Sequence, residues 1–308
     1  MVVLCAVGSM PISPSSFCFS CLSFCGSSFS VRVFGKKIVR FSFAGSFDIT
    51  NMCRHSSVLR PLRKASSTFA KRSSRAVQVV SFDATDTMIA NGEPFNDVYS
   101  RVAFDHGVNV HPAVIASAFP KYMSSLSASY PCFGFNTIGP FEWWKRIVVG
   151  CLQEGSSVQV DREKGEKIAQ RLFDFYATAR AWRITDPKLR SVLNQLRQNG
   201  VGVVVVSNSD ARLRTILEDF NLYSLFDVVV ASGEVGVEKP SPQIFEMVLN
   251  HYHLSDASQL LHIGDNLKKD YLAARDFGAN ALLFDPHSTN QDLSDAEKIS
   301  SFSELKVE

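Results

Sequence analysis

From residue 76 onward two apolar patterns alternate along the chain. Short unbroken apolar runs, AVQVVSF, GVVVVSNS, DVVVAS, QLLHIGDN and ANALLFDP, are rich in β-branched residues and end in polar or hydroxyl groups. Runs without polar alternation predict strands buried on both faces, as in parallel sheets. Between them, DPKLRSVLNQLRQNG, DARLRTILEDFNLYSLF, KPSPQIFEMVLNHY and KKDYLAARDFGA place apolar residues three and four apart, the spacing of amphipathic helices. Gly200 marks a helix stop, and the prolines of KPSPQ mark a helix start. Strand, helix, strand in this rhythm implies parallel pairing with helices on both faces. The predicted fold class is α/β, a doubly wound parallel sheet built from 76–94 and 183–290.

Residues 95–182 interrupt that rhythm with purely helical patterning, as in FNDVYSRVAFDHGV, FEWWKRIVVGCLQ and EKGEKIAQRLFDFYATA. An inserted helical domain is predicted there. Its loop from Ser129 to Phe141, rich in Gly, Pro and aromatics, is the expected specificity segment. The Trp143–Trp144 pair is expected to pack within the insert or against the sheet domain. The tail, 291–308, is polar and predicted to be weakly structured.

The net charge of +2 conceals an asymmetry. Residues 1–75 carry eleven Lys or Arg against the single acid Asp48, which leaves 21 basic and 29 acidic residues for the remainder. Basicity therefore belongs to the leading segment, and no nucleic-acid partner is expected for the folded part. That segment is Ser-rich, uncharged up to Arg32 and without sustained periodicity, the composition of a largely disordered transit peptide. An uncharged, hydroxylated start predicts the chloroplast, with the mitochondrion as the alternative. Cys5, Cys18, Cys21, Cys25 and Cys53 fall in this segment without a companion pair to complete a zinc site. Only Cys132 and Cys151 remain beyond it, so no disulfide framework is expected. No run approaches the ~18 apolar residues of a membrane span, and no transmembrane segment is predicted.

In an open parallel sheet, ligands bind outside the carboxyl ends of the strands. Asp83 follows the first strand, Ser207 and Asn208 the second, and Asp265 the fourth. Lys239 precedes a helix in the loop after the third strand, and Asp270 lies just inside the helix that follows Asp265. A carboxylate, a hydroxyl, an amine and two more carboxylates are thus expected on one edge. His262, within the fourth strand, is expected to be packed and satisfied rather than catalytic.

In order and spacing, FDATDT, VVVVSN, EKPSPQIF and HIGDNLKKD resemble the four motifs of the haloacid dehalogenase superfamily. The insert matches the position of that superfamily's helical C1 cap, and the resemblance covers about 77 to 286. The first motif and FEWWKRIV are similar to the rhythmically-expressed-gene-2-like group. The resemblance implies that Asp83 is a nucleophile forming an aspartyl ester. It implies a Mg²⁺ ion held by Asp83, the Thr85 carbonyl and Asp265, and a small phosphorylated molecule as substrate. Ser207, Asn208 and Lys239 would bind the transferring group, with Asp270 supporting Lys239 or the waters of the ion.

The chain departs from the phosphatase pattern DxDxT at one position. Thr85 stands where a second carboxylate protonates the leaving oxygen, and Asp86 falls one residue later. General acid–base help is worth about 10²–10⁴-fold, so a slow Mg²⁺-dependent phosphatase is the first expectation. Two others stay open: a catalytically weak member that binds or regulates, and a metal-free hydrolase like the dehalogenases, whose FDAYGT also lacks the second carboxylate.

Overall fold

β4 (Val79–Phe82) occupies an inner position in a six-stranded sheet because its residues are apolar on both faces and fully buried. The computed structural model describes residues 77–156 and 160–305. It also gives the backbone of three short strands, β1 (Leu22–Cys25), β2 (Ser28–Arg32) and β3 (Ile38–Ser42), which pair antiparallel among themselves. The rest of the expected transit segment lies outside the described residues.

After β4 come β5 (Ile89–Asn91), α1 (Phe95–Asp105), α2 (Pro112–Ser129), the turn α3 (Pro131–Gly134), α4 (Gly139–Gly155), α5 (Arg162–Phe175) and β6 (Trp182–Ile184). Then follow α6 (Leu189–Gln198), β7 (Gly202–Ser207), α7 (Arg212–Asp219), β8 (Val228–Ala231), the short α8 (Ser232–Val235) and α9 (Gln243–Tyr252). The chain continues through β9 (Leu260–Gly264), α10 (Ala273–Phe277), β10 (Asn280–Phe284) and β11 (Lys298–Ile299). The sheet runs β11-β10-β9-β4-β7-β8, and every neighbouring pair is parallel.

Side chains alternate across the strands into two cores. Val80, Phe82, Val203 and Val205 meet Leu193 and Leu217 on one face. Val79, Val204 and Val206 meet Phe245 and Ala274 on the other. The chain moves from β4 outward through β7 and β8, then crosses back to β9 on the opposite side of β4. The onward connections of β4 and β9 diverge, which opens a crevice at their carboxyl ends. Phe82 pairs with Val205 on one side and Ile263 on the other, so Asp83 emerges at the lip of that crevice.

β5 and β6 pair antiparallel and bring the two ends of the insert together. The insert has a core of its own, including Ile115, Trp143, Ile147, Leu152 and Leu172. Its two tryptophans divide the roles expected of them. The Trp143 indole N–H donates to the Tyr130 carbonyl within the insert at 2.9 Å. That of Trp144 donates to Asp210, beyond β7, at 2.8 Å.

Two expectations of local structure change. KKDYLAARDFGA is not one α-helix: Leu267–Leu272 form a π-helical turn, and only Ala273–Phe277 are α-helical. The polar tail is structured as far as it is described, to residue 305, because two apolar anchors hold it. Ile299 lies in β11 beside β10, and the buried Phe302 stacks on Phe284 with ring centroids 4.7 Å apart. Two anchors among polar residues are too sparse to register as periodicity. Among the described residues, no helix is long and apolar enough to cross a membrane.

Candidate active site

Lys239 reaches across from the loop after β8 and organises the lip of the crevice. Its ammonium donates to Asp83 Oδ1 at 2.7 Å, to Asp270 Oδ1 at 2.6 Å and to the Val206 carbonyl at 2.8 Å. Three donors meet three acceptors, so this buried cation is fully satisfied. Asn208 fixes the Lys239 backbone: its amide accepts from Lys239 N and donates to Lys239 O, both at 2.8 Å. The Asn208 side chain, expected on the phosphate, is instead committed to holding the lysine, because both of its ends meet backbone groups.

Asp270 is held from three directions. Its Oδ1 also receives His262 Nε2 at 3.2 Å, and its Oδ2 accepts from Asn266 N at 2.9 Å. The π-helical turn brings it inward: Asn266 caps the turn from Lys268 N and Lys269 N, and its carbonyl accepts from Asp270 N. Gly264 makes the approach sterically open, since a Cβ there would lie 2.2 Å from Asp270 Cγ. Burial pushes the His262 pKa down, so the ring is neutral. With Nε2–H directed at Asp270, Nδ1 accepts from Ser81 Oγ at 2.8 Å. His262 is packed and satisfied.

Asp265 pairs with Thr87 rather than with a cation. The Thr87 hydroxyl donates to Asp265 Oδ1 at 3.1 Å and accepts from Asp265 N at 2.9 Å. Carboxylate oxygens of Asp83, Asp265 and Asp270 all lie within 4.8 Å of one another. Burial raises the Asp83 pKa; Lys239 opposes the rise and Asp270 adds to it. Burial acts likewise on Asp270, but Lys239 and His262 outweigh it and hold the group well below the carboxylate range. Asp265 is pushed up to about 7 by burial and by the charges of Asp83 and Asp270, against the bond from Thr87. For Lys239 the cost of burial is overcome by the two carboxylates, which raise its pKa.

Three carboxylates around one ammonium form a set of hard oxygens short of positive charge, and such a set fits a divalent cation. Asp270 has both oxygens engaged. Asp83 and Asp265 each keep one oxygen without a hydrogen bond from the described residues, so they are the pair able to ligate.

Ser207 is buried at the end of β7, and its hydroxyl has no hydrogen-bond partner among the described residues. Thr85 and Asp86 turn away from the strand, Asp86 in the left-handed region at φ 61°, which Asp tolerates better than most residues. Both line a cavity beneath the insert. Partial desolvation and the Asp83 charge raise the Asp86 pKa, and Arg183 opposes them. The structure thus gathers Asp83, Lys239, Asp265 and Asp270 into one bonded cluster, with Ser207 and Thr85–Asp86 at its margins. The loop from Ser129 to Phe141 contributes nothing to the cavity lining, which comes from α1, α2, α4 and α5 on the insert side. Sequence reasoning missed Thr87, Ser81 and Gly264. Thr87 within DATDT and Gly264 within HIGD, both beside catalytic candidates, were the available signals.

A family model described as haloacid dehalogenase-like hydrolase matches residues 77–278. Haloacid dehalogenase-like hydrolase domain-containing protein 3 of Bos taurus is 29% identical over 210 residues, covering 67% of this chain and 81% of that protein. The Rhythmically expressed gene 2 protein of Drosophila melanogaster is 28% identical over 220 residues, covering 69% and 84%. Among solved structures, YfnB of Bacillus subtilis, bound to magnesium, aligns with a TM-score of 0.58 at 17% identity, covering 75% of this chain and 97% of that one. A 2-haloacid dehalogenase of Pseudomonas syringae aligns at 0.55 and 19% identity, covering 74% and 96%. These two likenesses speak for the fold. With the family model spanning every member of the bonded cluster, the chain belongs to the haloacid dehalogenase-like hydrolases, in their rhythmically-expressed-gene-2-like group.

Proposed function

We propose that the protein is a Mg²⁺-dependent phosphatase that hydrolyses a small phosphorylated metabolite slowly, through an aspartyl-phosphate. The observation that carries this reading is the charge deficit of the cluster. Asp83 and Asp270 share one ammonium, and Asp265 beside them has no cationic side-chain partner among the described residues. A divalent cation would supply the positive charge this carboxylate set lacks.

One oxygen of the Asp83 carboxylate attacks phosphorus, and the other would remain to hold the cation. The Asp83 O–P bond forms as the P–O bond to the leaving alkoxide breaks. Lys239 and the unpartnered Ser207 hydroxyl stabilise the transferring oxygens. Water then attacks phosphorus, releases phosphate and restores the Asp83 carboxylate. A Mg²⁺ ion on Asp83, the Thr85 carbonyl and Asp265 would screen the repulsion between nucleophile and phosphate. Thr85 cannot donate a proton to the leaving oxygen at neutral pH, and that is the reason turnover is slow. The same residue favours a second reading, a catalytically weak member that works by binding.

Phosphate release from a phosphomonoester panel by the full chain, with Mg²⁺ and with chelator, tests the proposal. Activity should need Mg²⁺ and fall to background in Asp83→Asn. Chelator-insensitive chloride release from 2-chloropropionate would establish the dehalogenase instead. Ligand binding without turnover would establish the second reading. Residues 1–75, by their composition, are proposed to direct the chain to the chloroplast. A fusion of this segment to a fluorescent protein that stays in the cytosol would refute that.

A further inference from the structure

Beneath the insert lies a cavity of ≈ 330 Å³ whose lining includes Thr85 and Asp86, immediately past the nucleophile in the chain. A leaving group bonded to a phosphorus at Asp83 would extend into it. That volume is at the small end of ligand pockets, which run to about 1,000 Å³. It suits a leaving group of one or two rings.

The walls are aromatic and aliphatic, with Phe95, Tyr99, Phe119, Trp144 and Tyr176 among them. Besides the tyrosine hydroxyls, only Asn91 and Arg212 add polar groups beyond Thr85 and Asp86. Arg212 offers no spare charge. It donates to both oxygens of Asp210, at 2.9 and 2.7 Å, and lies 4.0 Å over the Phe173 ring. A second anionic group on the substrate would therefore meet no unpaired cation. A sugar or glycerol body would bring more hydroxyls than these few groups can pair, and each one left unpaired weakens binding by about tenfold or more. Flat rings would instead find faces and edges to pack on.

We infer that the cavity receives the leaving group and that this group is a flat aromatic alcohol. Arylalkyl phosphate monoesters are then the substrate class, in preference to sugar and glycerol phosphates. The inference rests on the phosphatase reading above.

The test compares kcat/KM of the full chain, with Mg²⁺, for benzyl and 2-naphthylmethyl phosphate against glycerol 3-phosphate and glucose 6-phosphate. All four release primary alkoxides of similar basicity, so the ratio reports recognition rather than leaving-group chemistry. The arylmethyl esters should lead by at least about 30-fold, from two or more unpaired hydroxyls at about tenfold each, less the flexibility a polyol retains. Ala169→Leu, which fills the cavity wall, should cut that ratio at least about fivefold, in line with the cost of overpacking. In parallel, 2-naphthylmethylphosphonate is titrated into Asp83→Asn, with quenching of Trp144 and Trp182 emission as the readout. Polyol esters turned over as well as the arylmethyl esters would overturn the substrate class and leave the phosphatase reading standing. A ratio that Ala169→Leu does not move would overturn it too. Quenching without hydrolysis of any ester would overturn the phosphatase reading and support the aromatic cavity. Neither hydrolysis nor quenching would overturn both.

Discussion

Gly264 shows how much of the site depends on a missing atom. A Cβ at this position would lie 2.2 Å from Asp270 Cγ, and Asp270 cannot swing aside while Lys239, His262 and Asn266 N hold it. Gly264→Ala should therefore displace Asp270, loosen Lys239 and destabilise the fold by about 1–3 kcal/mol, the usual cost of overpacking. Denaturant unfolding and phosphate release on one preparation would check both effects. Thr85 makes the opposite case. It lines the cavity where the family's phosphatases carry a carboxylate. Thr85→Asp should raise kcat by about 10²-fold if the absent general acid is what limits turnover. An unchanged kcat would move the limitation elsewhere.

At the scale of elements, the turn after β10 stores a pH dependence. Burial disfavours the Asp285 carboxylate, but hydrogen bonds from Asn290 N, Thr289 N and the Thr289 hydroxyl outweigh it and hold the pKa at about 2. The folded value lies below the unfolded one, near 3.9. The stabilisation is therefore complete above about pH 4 and is lost as pH falls towards 2. Asp285→Asn should be less stable than the native chain at pH 7, and the difference should shrink between about pH 4 and 2. Thermal melts of both proteins across that range measure it. The same region shows why some elements escape sequence reading. β11 and Phe302 complete the sheet edge with two anchors, whereas β4 and β7 announce themselves by unbroken β-branched runs. α2 packs on α4, and its Pro120 and serines blur the apolar stripe.

For the whole molecule, hydrogen bonds join the insert and the sheet domain beyond the chain crossings in β5 and β6. Trp144 of α4 donates to Asp210, and Arg212, paired with Asp210, donates to the Phe173 carbonyl of α5 at 3.2 Å. The aromatic cavity and the acidic cluster are thereby held within one unit. Ion binding should be visible in the stability of that unit. A cation that binds only the folded chain stabilises it by RT ln(1 + [L]/Kd), about 2.7 kcal/mol at 100 times Kd. Mg²⁺ should raise the Tm of the native protein, and Asp265→Asn should lose most of the shift. An equal shift in both would locate the ion elsewhere.

The sequence by itself determined the sheet, its parallel pairing and the edge on which Asp83, Ser207, Lys239, Asp265 and Asp270 meet. Strand burial and βαβ connection follow from residue type and order, which a linear pattern carries in full. Only the tertiary structure decided that Asn208 grips Lys239, that Thr87 attends Asp265, and that His262 and Gly264 seat Asp270. The first two join segments far apart in the chain, and the third depends on the π-helical turn that brings Asp270 inward. The tertiary structure also decided the cavity: α1, α2, α4 and α5 each bring two or three aromatic or aliphatic residues to it, and their shared address exists only once the helices pack.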